Sequence, residues 1–290
     1  LVREFLLLQL AKSKYKENYK EKFFAVLVSK IQNIPQSPNR ECIKLASPII
    51  PHLEEVANNW IISVGDEDLI EVFVGLGRFY FGQGLYALAE HYYQQFLSTV
   101  RVRFGDKHSF VALSLTCLAY LYSYTGRYEE SKILNKQALT LCQSLLGDNH
   151  PLVAVNFNNL AGVYSSMGYY AESEKLYNQA LDIYKCLFGQ NHQDVATCLN
   201  GLAHLYFLTE RHTEAEPLLK QVVEIRKNLL GEEHPDFAQS LNNLGTLFYS
   251  QGRYDEAKTY LEQAFDINKH LLGNDHPNIA DNLSNLANLY

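Results

Sequence analysis

A six-residue segment recurs at a constant interval from residue 104 onward. One copy reads Leu146-Gly-Asp-Asn-His-Pro151, and the glycine of the segment stands at positions 105, 147, 189, 231 and 273. The histidine three residues later keeps the same step of 42 residues. A period of roughly 20 to 50 residues is the signature of a stacked repeat array, in which each unit packs mainly against its neighbours.

Alignment of the chain on this step gives columns that predict a first helix in each repeat, helix A. A leucine is followed at once by a small residue and four residues later by an aromatic one, and a bulky apolar residue precedes the leucine by three. Such spacing places all four positions on one helical stripe. The aromatic column reads Tyr80, Tyr122, Tyr164, Tyr206, Phe248 and Tyr290.

A glycine column predicts the end of helix A, and a second helix, helix B, follows it. We expect Gly84, Gly126, Gly168 and Gly252 to adopt the left-handed conformation that closes a helix. Glu210 occupies this column in the fourth repeat, which costs about 1 kcal/mol if the backbone stays left-handed. Helix B then carries small residues, at Ala89, Ser131, Ser173, Ala215 and Ala257, and ends at the Leu/Phe-Gly pair of the recurring segment.

This order of columns resembles the tetratricopeptide repeat. The 42-residue length, the Leu-Gly-x-x-His-Pro segment and Leu241-Asn-Asn-Leu-Gly245 resemble the repeats of kinesin light chains and their bacterial relatives. The resemblance implies an all-α fold, a right-handed α-α superhelix (a tetratricopeptide solenoid) with helix A on its concave side and a short N-terminal helical region. We expect a helical connector at residues 1–65 and a repeat domain at 66–290, with about five repeats and a truncated sixth helix A.

The N-terminal region lacks the period. Two apolar stripes predict helices in residues 1–32, two prolines predict a loop at 33–39, and Pro51 suits the first turn of another helix. The stretches around Arg3-Glu-Phe5, Pro48-Ile-Ile-Pro-His-Leu53 and Asp68-Leu-Ile-Glu-Val-Phe73 resemble the connector of bacterial NB-ARC-type signal-transduction ATPases. This resemblance implies an alternative function, that of a sensor or regulatory arm whose nucleotide-binding part lies outside the sequence.

Composition and the lack of motifs exclude several classes of function. A net charge of −7 argues against nucleic acid as a partner. No run reaches the ~18 apolar residues of a membrane span, and the N-terminus is a poor signal peptide, so we expect a cytoplasmic protein. The chain has no phosphate-binding loop and no nucleophile elbow, which predicts a protein that is not an enzyme and takes no cofactor.

The cysteines and the loop histidines do not predict a metal site. The spacing of the five cysteines fits neither zinc nor a disulfide framework, so we expect reduced, buried thiols. Histidines of neighbouring repeats should lie as far apart as packed helices, ~8–10 Å, whereas zinc needs ligands at ~2 Å. We expect these histidines to cap or pack the turn between repeats.

The positions of helix A that packing leaves over form the candidate binding surface. Asparagine is a mediocre helix former, yet it recurs there in several repeats. Its amide both donates and accepts, so a ladder of amides can bind the backbone of an extended peptide. The other interpretation is that the amides bond the adjacent repeat and fix its stacking. We predict a non-enzymatic scaffold that binds a protein or peptide segment, with the oligomeric state open, through Asn158, Asn159, Asn200, Asn242, Asn243, Asn285, His204, Thr246, Tyr120 and Tyr124.

Overall fold

The computed structural model describes Leu27, residues 40–272 and residues 277–289, and within them all regular structure is helical. The chain forms two compact units, which divide between Leu121 and Tyr122. The described helices are α1 (Arg40–Ala46), α2 (Ile50–Glu55), α3 (Asp68–Gly82), α4 (Tyr86–Phe104), α5 (Ser109–Tyr124), α6 (Tyr128–Leu146), α7 (Pro151–Ser166), α8 (Tyr170–Phe188), α9 (Gln193–Leu208), α10 (His212–Leu230), α11 (Pro235–Ser250), α12 (Tyr254–Leu272) and α13 (Pro277–Ala287).

The alternation of helix lengths confirms the predicted repeat. Helices α5, α7, α9 and α11 each have 16 residues and correspond to helix A. Helices α4, α6, α8, α10 and α12 each have 19 residues and correspond to helix B. The predicted all-α class with helix pairs in tandem is therefore confirmed, and α13 is the helix A of the last repeat.

The turn from helix A to helix B has the predicted left-handed residue. The φ angles of Gly84, Gly126, Gly168 and Gly252 lie between 74° and 80°, and Glu210 has a φ of 59°. The residue after each of them closes the turn, as where the backbone N–H of Arg211 donates to the carbonyl of Tyr206 at 2.8 Å. This bond belongs to the Schellman motif, which satisfies a carbonyl at the end of the helix.

The loop histidines at positions 108, 150, 192 and 234 cap the following helix A, as predicted, and His276 lies outside the described residues. The backbone N–H of Leu152 donates to Nδ1 of His150 at 3.2 Å, and that of Asp236 donates to His234 at 3.1 Å. The ring of His192 also stacks on Phe188, with centroids 4.2 Å apart. Each cap satisfies one of the backbone N–H groups that a helix leaves unpaired at its start.

Buried polar pairs join helix B to the next helix A in the second unit. The partners are 14 residues apart, as in Arg226 Nη1 to Ser240 Oγ at 2.9 Å and Asn268 Nδ2 to Asn282 Oδ1 at 2.8 Å. Burial lowers the pKa of Arg226 from its ordinary value. Because a buried polar group is costly unless it is bonded, these pairs fix the register of one repeat on the next.

The cysteine prediction is correct only in part. Cys142 and Cys198 are buried, Cys42 and Cys117 are half-buried, and Cys186 is exposed on α8. Residue 186 lies four positions from Asp182 on the solvated side of the helix, which the apolar character of cysteine did not reveal.

The first unit begins its described part with short helices before the first repeat. Pro51 lies in the first turn of α2, as predicted. A π-helical turn (Val56–Trp60) and a 3-10 turn (Ile61–Ser63) follow. The carboxylate of Glu54 accepts hydrogen bonds from the hydroxyls of Tyr80 and Tyr92, which ties α2 to α3 and α4. The predicted helices of residues 1–32 lie outside the described residues except at Leu27, and so does the predicted loop at 33–39.

The proposed division at residues 65 and 66 stays a prediction. Among the described helices, none combines the length and the apolar character needed to cross a bilayer.

Candidate functional site

A concave pocket of about 310 Å³ lies on the helix A side of the second unit. Helices α9, α11 and α13 supply most of its lining, which we call the amide pocket. Its volume falls at the lower end of the range of ligand pockets, roughly 300–1,000 Å³. The pocket is lined by Asn200, Ala203, His204, Phe207, Leu219, Gln239, Asn242, Asn243, Thr246, Asp281, Ser284 and Asn285.

The lining follows from helical periodicity. Residues four apart on one helix face the same way, as do Asn200 and His204 on α9 and Asn242 and Thr246 on α11. Six of the ten residues predicted to bind a peptide line this pocket: Asn200, His204, Asn242, Asn243, Thr246 and Asn285. The structure thus brings together the predicted residues of the fourth, fifth and sixth repeats.

The amides of the pocket bond one another across the repeats. Nε2 of Gln239 donates to Oδ1 of Asn243 at 2.9 Å, and Nδ2 of Asn243 donates to Oδ1 of Asn200 at 2.8 Å. The second of these bonds joins α11 to α9. The amides therefore help to fix the stacking of the repeats, as the second interpretation of the ladder requires.

Of the asparagines that line the pocket, Asn242 is the one most engaged in contacts between repeats. It is 7% exposed, and its Oδ1 accepts from Nδ2 of Asn282 at 2.9 Å and from Nδ2 of Asn285 at 3.0 Å. Its backbone carbonyl accepts the hydroxyl of Thr246 at 2.9 Å. Stacking accounts for this side chain, since its acceptor is already shared between two donors.

The amides of Asn200 and Asn285 each leave one polar atom without a hydrogen bond to the described part of the chain. Asn200 accepts through Oδ1, and its Nδ2 has no hydrogen bond to the described part of the chain; Asn285 donates through Nδ2, and its Oδ1 has none. Both residues are only half-buried. The pocket consequently offers both a donor and an acceptor, which is what a peptide backbone requires.

The charge of the pocket is low. Desolvation lowers the pKa of the His204 imidazole below its ordinary value, although the ring is still in contact with solvent. Asp281 is the one carboxylate in the described lining, which contains no lysine or arginine. Gln239 and Asp281 were not among the predicted residues, although Gln239 precedes Asn243 by one helical turn and could have been placed from that spacing.

A second depression of about 260 Å³ adjoins the amide pocket and shares Phe207, Thr246 and Asn285 with it. Tyr249, Ser250, Leu261 and Asn288 complete its lining. This depression is less polar, so the two together suit a segment with alternating polar and apolar contacts.

The other four predicted residues lie outside both depressions. Asn158 and Asn159 stand on α7, one repeat earlier; Oδ1 of Asn158 is buried and has no hydrogen-bond partner within the described residues. Tyr124 is 60% exposed at the end of α5. Tyr120 belongs to the first unit, where its ring packs on Phe81 with centroids 5.5 Å apart.

Within the described residues no three His, Cys, Asp or Glu side chains are grouped as a metal site. His108, His150, His192 and His234 use Nδ1 to cap a helix.

Comparison with known proteins gives the following matches. The model of the tetratricopeptide repeat family matches residues 68–143, 110–185, 157–228, 194–270 and 236–290. A crystal structure of BtubC (BKLC) from P. vanneervenii is 26% identical, with a TM-score of 0.60, over 81% of this chain and 92% of that one. The structure of a Podosopora anserina protein described as a kinesin light chain with nearly identical TPR-like repeats is 25% identical, with a TM-score of 0.55, over 69% of this chain and 95% of that one.

A third structure is similar in fold. It is that of NprR in complex with its cognate peptide NprX, with 14% identity and a TM-score of 0.67, over 100% of this chain and 77% of that one. A search of curated protein sequences gave no match.

Proposed function

The chain belongs to the tetratricopeptide repeat family, and from this premise we propose that it is a non-enzymatic scaffold whose second unit binds an extended peptide or protein segment along its helix A face. Proteins of this family and fold are typically scaffolds without catalysis of their own. The proposed partner is a protein, with no role for nucleic acid or a membrane, and the proposed setting is the cytoplasm of a bacterial cell.

The proposal rests on how two asparagines of the amide pocket use the donor and the acceptor of their amides. Asn200 and Asn285 each use one end of the amide to bond a neighbouring repeat, the other end has no hydrogen bond within the described residues, and both residues line the pocket. An amide held in this way is oriented before a ligand arrives, so binding costs little side-chain entropy. The stacking and binding interpretations of the ladder are therefore compatible.

The chemistry of the pocket favours an internal segment over a free C-terminus. A free C-terminal carboxylate needs lysine or arginine, and the described lining has neither, whereas it has Asp281. Neutral amides suit a backbone that contributes one N–H and one carbonyl per residue. The structure of NprR with its peptide NprX adds that this fold can hold a peptide in another protein.

Peptide selection tests the proposal. We would select binders from random peptides of about 12 residues, long enough at ~3.3 Å per residue to cross four helices spaced ~10 Å apart. Fluorescence anisotropy would then give the affinity of the best labelled peptide for the intact chain and its variants. We expect His204→Ala and Asn200→Ala each to weaken binding by about threefold to tenfold, the value of one polar contact.

Asn178→Ala, on the exposed side of α8, is the matched control and should bind like the wild type. Failure to select any peptide, or equal affinity for the pocket variants and the control, contradicts the proposed groove.

The alternative function, a sensor arm of an NB-ARC-type ATPase, is not supported by these comparisons and stays a prediction. Reading the gene upstream of Leu1 for a G-x-x-x-x-G-K-[ST] segment tests it directly.

A further inference from the structure

One junction between repeats in the second unit lacks the amide–amide hydrogen bond that the next two junctions have. In two successive junctions the amide of one helix A donates to an asparagine 43 residues earlier: Asn243 to Asn200, and Asn285 to Asn242. In the preceding junction the same pair of positions holds Asn158 and residue 201, which is a glycine. Oδ1 of Asn158 accordingly is buried and has no partner within the described residues.

The side chain of Tyr177, from helix B of the third repeat, occupies the space in which this amide–amide hydrogen bond would lie. A Cβ atom added to Gly201 would lie 2.6 Å from Cε1 and 2.8 Å from the hydroxyl oxygen of Tyr177. A Cβ atom added to Gly162 would lie 3.5 Å from the same hydroxyl. The hydroxyl of Tyr177 is therefore located between a glycine of α7 and a glycine of α9.

This hydroxyl has no hydrogen-bond partner in the part of the chain that the structure describes, although the side chain of Tyr177 is only 6% exposed. Its oxygen is not among the fully buried polar atoms that lack a partner within the described residues, so the hydroxyl is in contact with solvent and open to a ligand. Asn159, which follows Asn158 on α7 and is half-buried, likewise has no hydrogen bond within the described residues.

The register of the repeats places both glycines on the groove face. Gly162 takes the position that His204 and Thr246 hold in the next two repeats, and Gly201 takes that of Asn243; all three of these residues line the amide pocket. Where the later repeats carry side chains, the third repeat has only Gly162, and the space beside Gly201 in the fourth is filled by the ring of Tyr177. We call the resulting site, formed by Gly162, Gly201, Tyr177, Asn158 and Asn159, the glycine notch.

We infer that the glycine notch is a second subsite of the groove, which binds a main-chain peptide group of the segment held by the amide pocket. This inference rests on the proposed function. The hydroxyl of Tyr177 donates to a carbonyl of the segment, and the amide of Asn159 pairs with the adjacent backbone group. Because no Cβ stands at Gly162, the backbone of the segment can approach α7 more closely here than it can approach the helices of the amide pocket.

The residues of the notch also limit the chemistry of its ligand. Its three side chains, those of Tyr177, Asn158 and Asn159, are uncharged, so a charged group of the segment would be desolvated there without a compensating charge. A neutral peptide group costs less to desolvate than a charged one, and in the notch it finds a donor and an acceptor that offset this cost.

The test uses the labelled peptide selected on the intact wild-type chain. Tyr177→Phe removes only the hydroxyl, and we expect it to weaken binding by about threefold to tenfold, the value of one neutral hydrogen bond. Tyr184→Phe removes a hydroxyl from another buried tyrosine of α8 and should leave binding unchanged. Gly162→Asn fills the notch and should weaken binding by more than about tenfold, because a bound backbone would overlap the new side chain.

Ala171→Asn, at an exposed position of α8, is the control for the added asparagine. Thermal unfolding of each variant separates lost binding from lost folding. A third variant, Asn159→Ala, removes an amide with no bond to the described chain, so its effect on binding does not depend on stability.

Backbone N-methylation of the peptide, one residue at a time, shows whether a main-chain group is bound. We expect one position at which methylation weakens binding to the wild type by about tenfold and to Asn159→Ala by much less. Equal affinity of the wild type, Tyr177→Phe and Gly162→Asn overturns the notch, while the proposed function still stands if His204→Ala weakens binding. Failure to select a peptide overturns the proposed function and the notch together.

Discussion

Substitution of Glu210 tests whether the repeat imposes a left-handed backbone on the residue that ends helix A. It holds a φ of 59° in a turn where four other repeats have glycine. A side chain in the left-handed region costs about 1–2 kcal/mol, because Cβ approaches the following carbonyl oxygen. Glycine instead loses about 0.4–1 kcal/mol more conformational entropy on folding. The difference predicts that Glu210→Gly stabilises the chain by about 0.5–1 kcal/mol.

The assay is urea unfolding followed by far-ultraviolet circular dichroism, with thermal unfolding in parallel. A domain of 150–250 residues gains about 2–4 °C in Tm per kcal/mol, so the midpoint should rise by roughly 1–4 °C. Glu210→Ala keeps the Cβ atom and removes the carboxylate, and should stay close to the wild type. If Glu210→Ala stabilises as much as Glu210→Gly, the side chain and not the backbone is responsible, and the reasoning is refuted.

Two further predictions concern the contacts between repeats. Gly201→Ala should destabilise the chain by about 1–3 kcal/mol, because the added Cβ would lie 2.6 Å from the ring of Tyr177. The Cβ added by Gly162→Ala would lie 3.5 Å from the hydroxyl of Tyr177, which is an ordinary contact. Urea unfolding of both variants checks this difference, and equal stability of the two contradicts it. The hydrogen bond from Arg211 holds the pKa of Glu174 below its ordinary value of 4.5, so the wild type should exceed Glu174→Gln in stability above pH 4.5 and lose that advantage as the pH falls through the lower pKa of the folded state. A difference between the two proteins that does not change with pH would contradict that assignment.

Much of the fold could be predicted from the sequence because the repeat supplies several independent signals. Each glycine column, proline and histidine marks a helix end, and agreement across five copies removes the ambiguity of any single one. Even the left-handed Glu210 could be predicted, since the neighbouring copies fix the backbone around it.

The details of the groove could not be predicted in the same way. Columns show that Asn200, Asn242 and Asn243 share a face, but not which end of each amide bonds a neighbour, because that depends on side-chain torsions and on residues a full repeat away. The polar pairs 14 residues apart were also missed, since their members differ from repeat to repeat, as in Arg226 with Ser240 and Asn268 with Asn282. The predicted helical connector before the repeats has no period, so its short helices had no second copy to support them.

The central claim is that asparagine amides of the helix A face bind an extended segment. Nuclear magnetic resonance of the chain labelled with ¹⁵N-asparagine observes these side chains directly during titration with the selected peptide. The side-chain signals of Asn159, Asn200 and Asn285 should shift, while those of Asn156 and Asn268, which are buried between helices, should not. Binding of the peptide with no change in the first three signals would contradict the account.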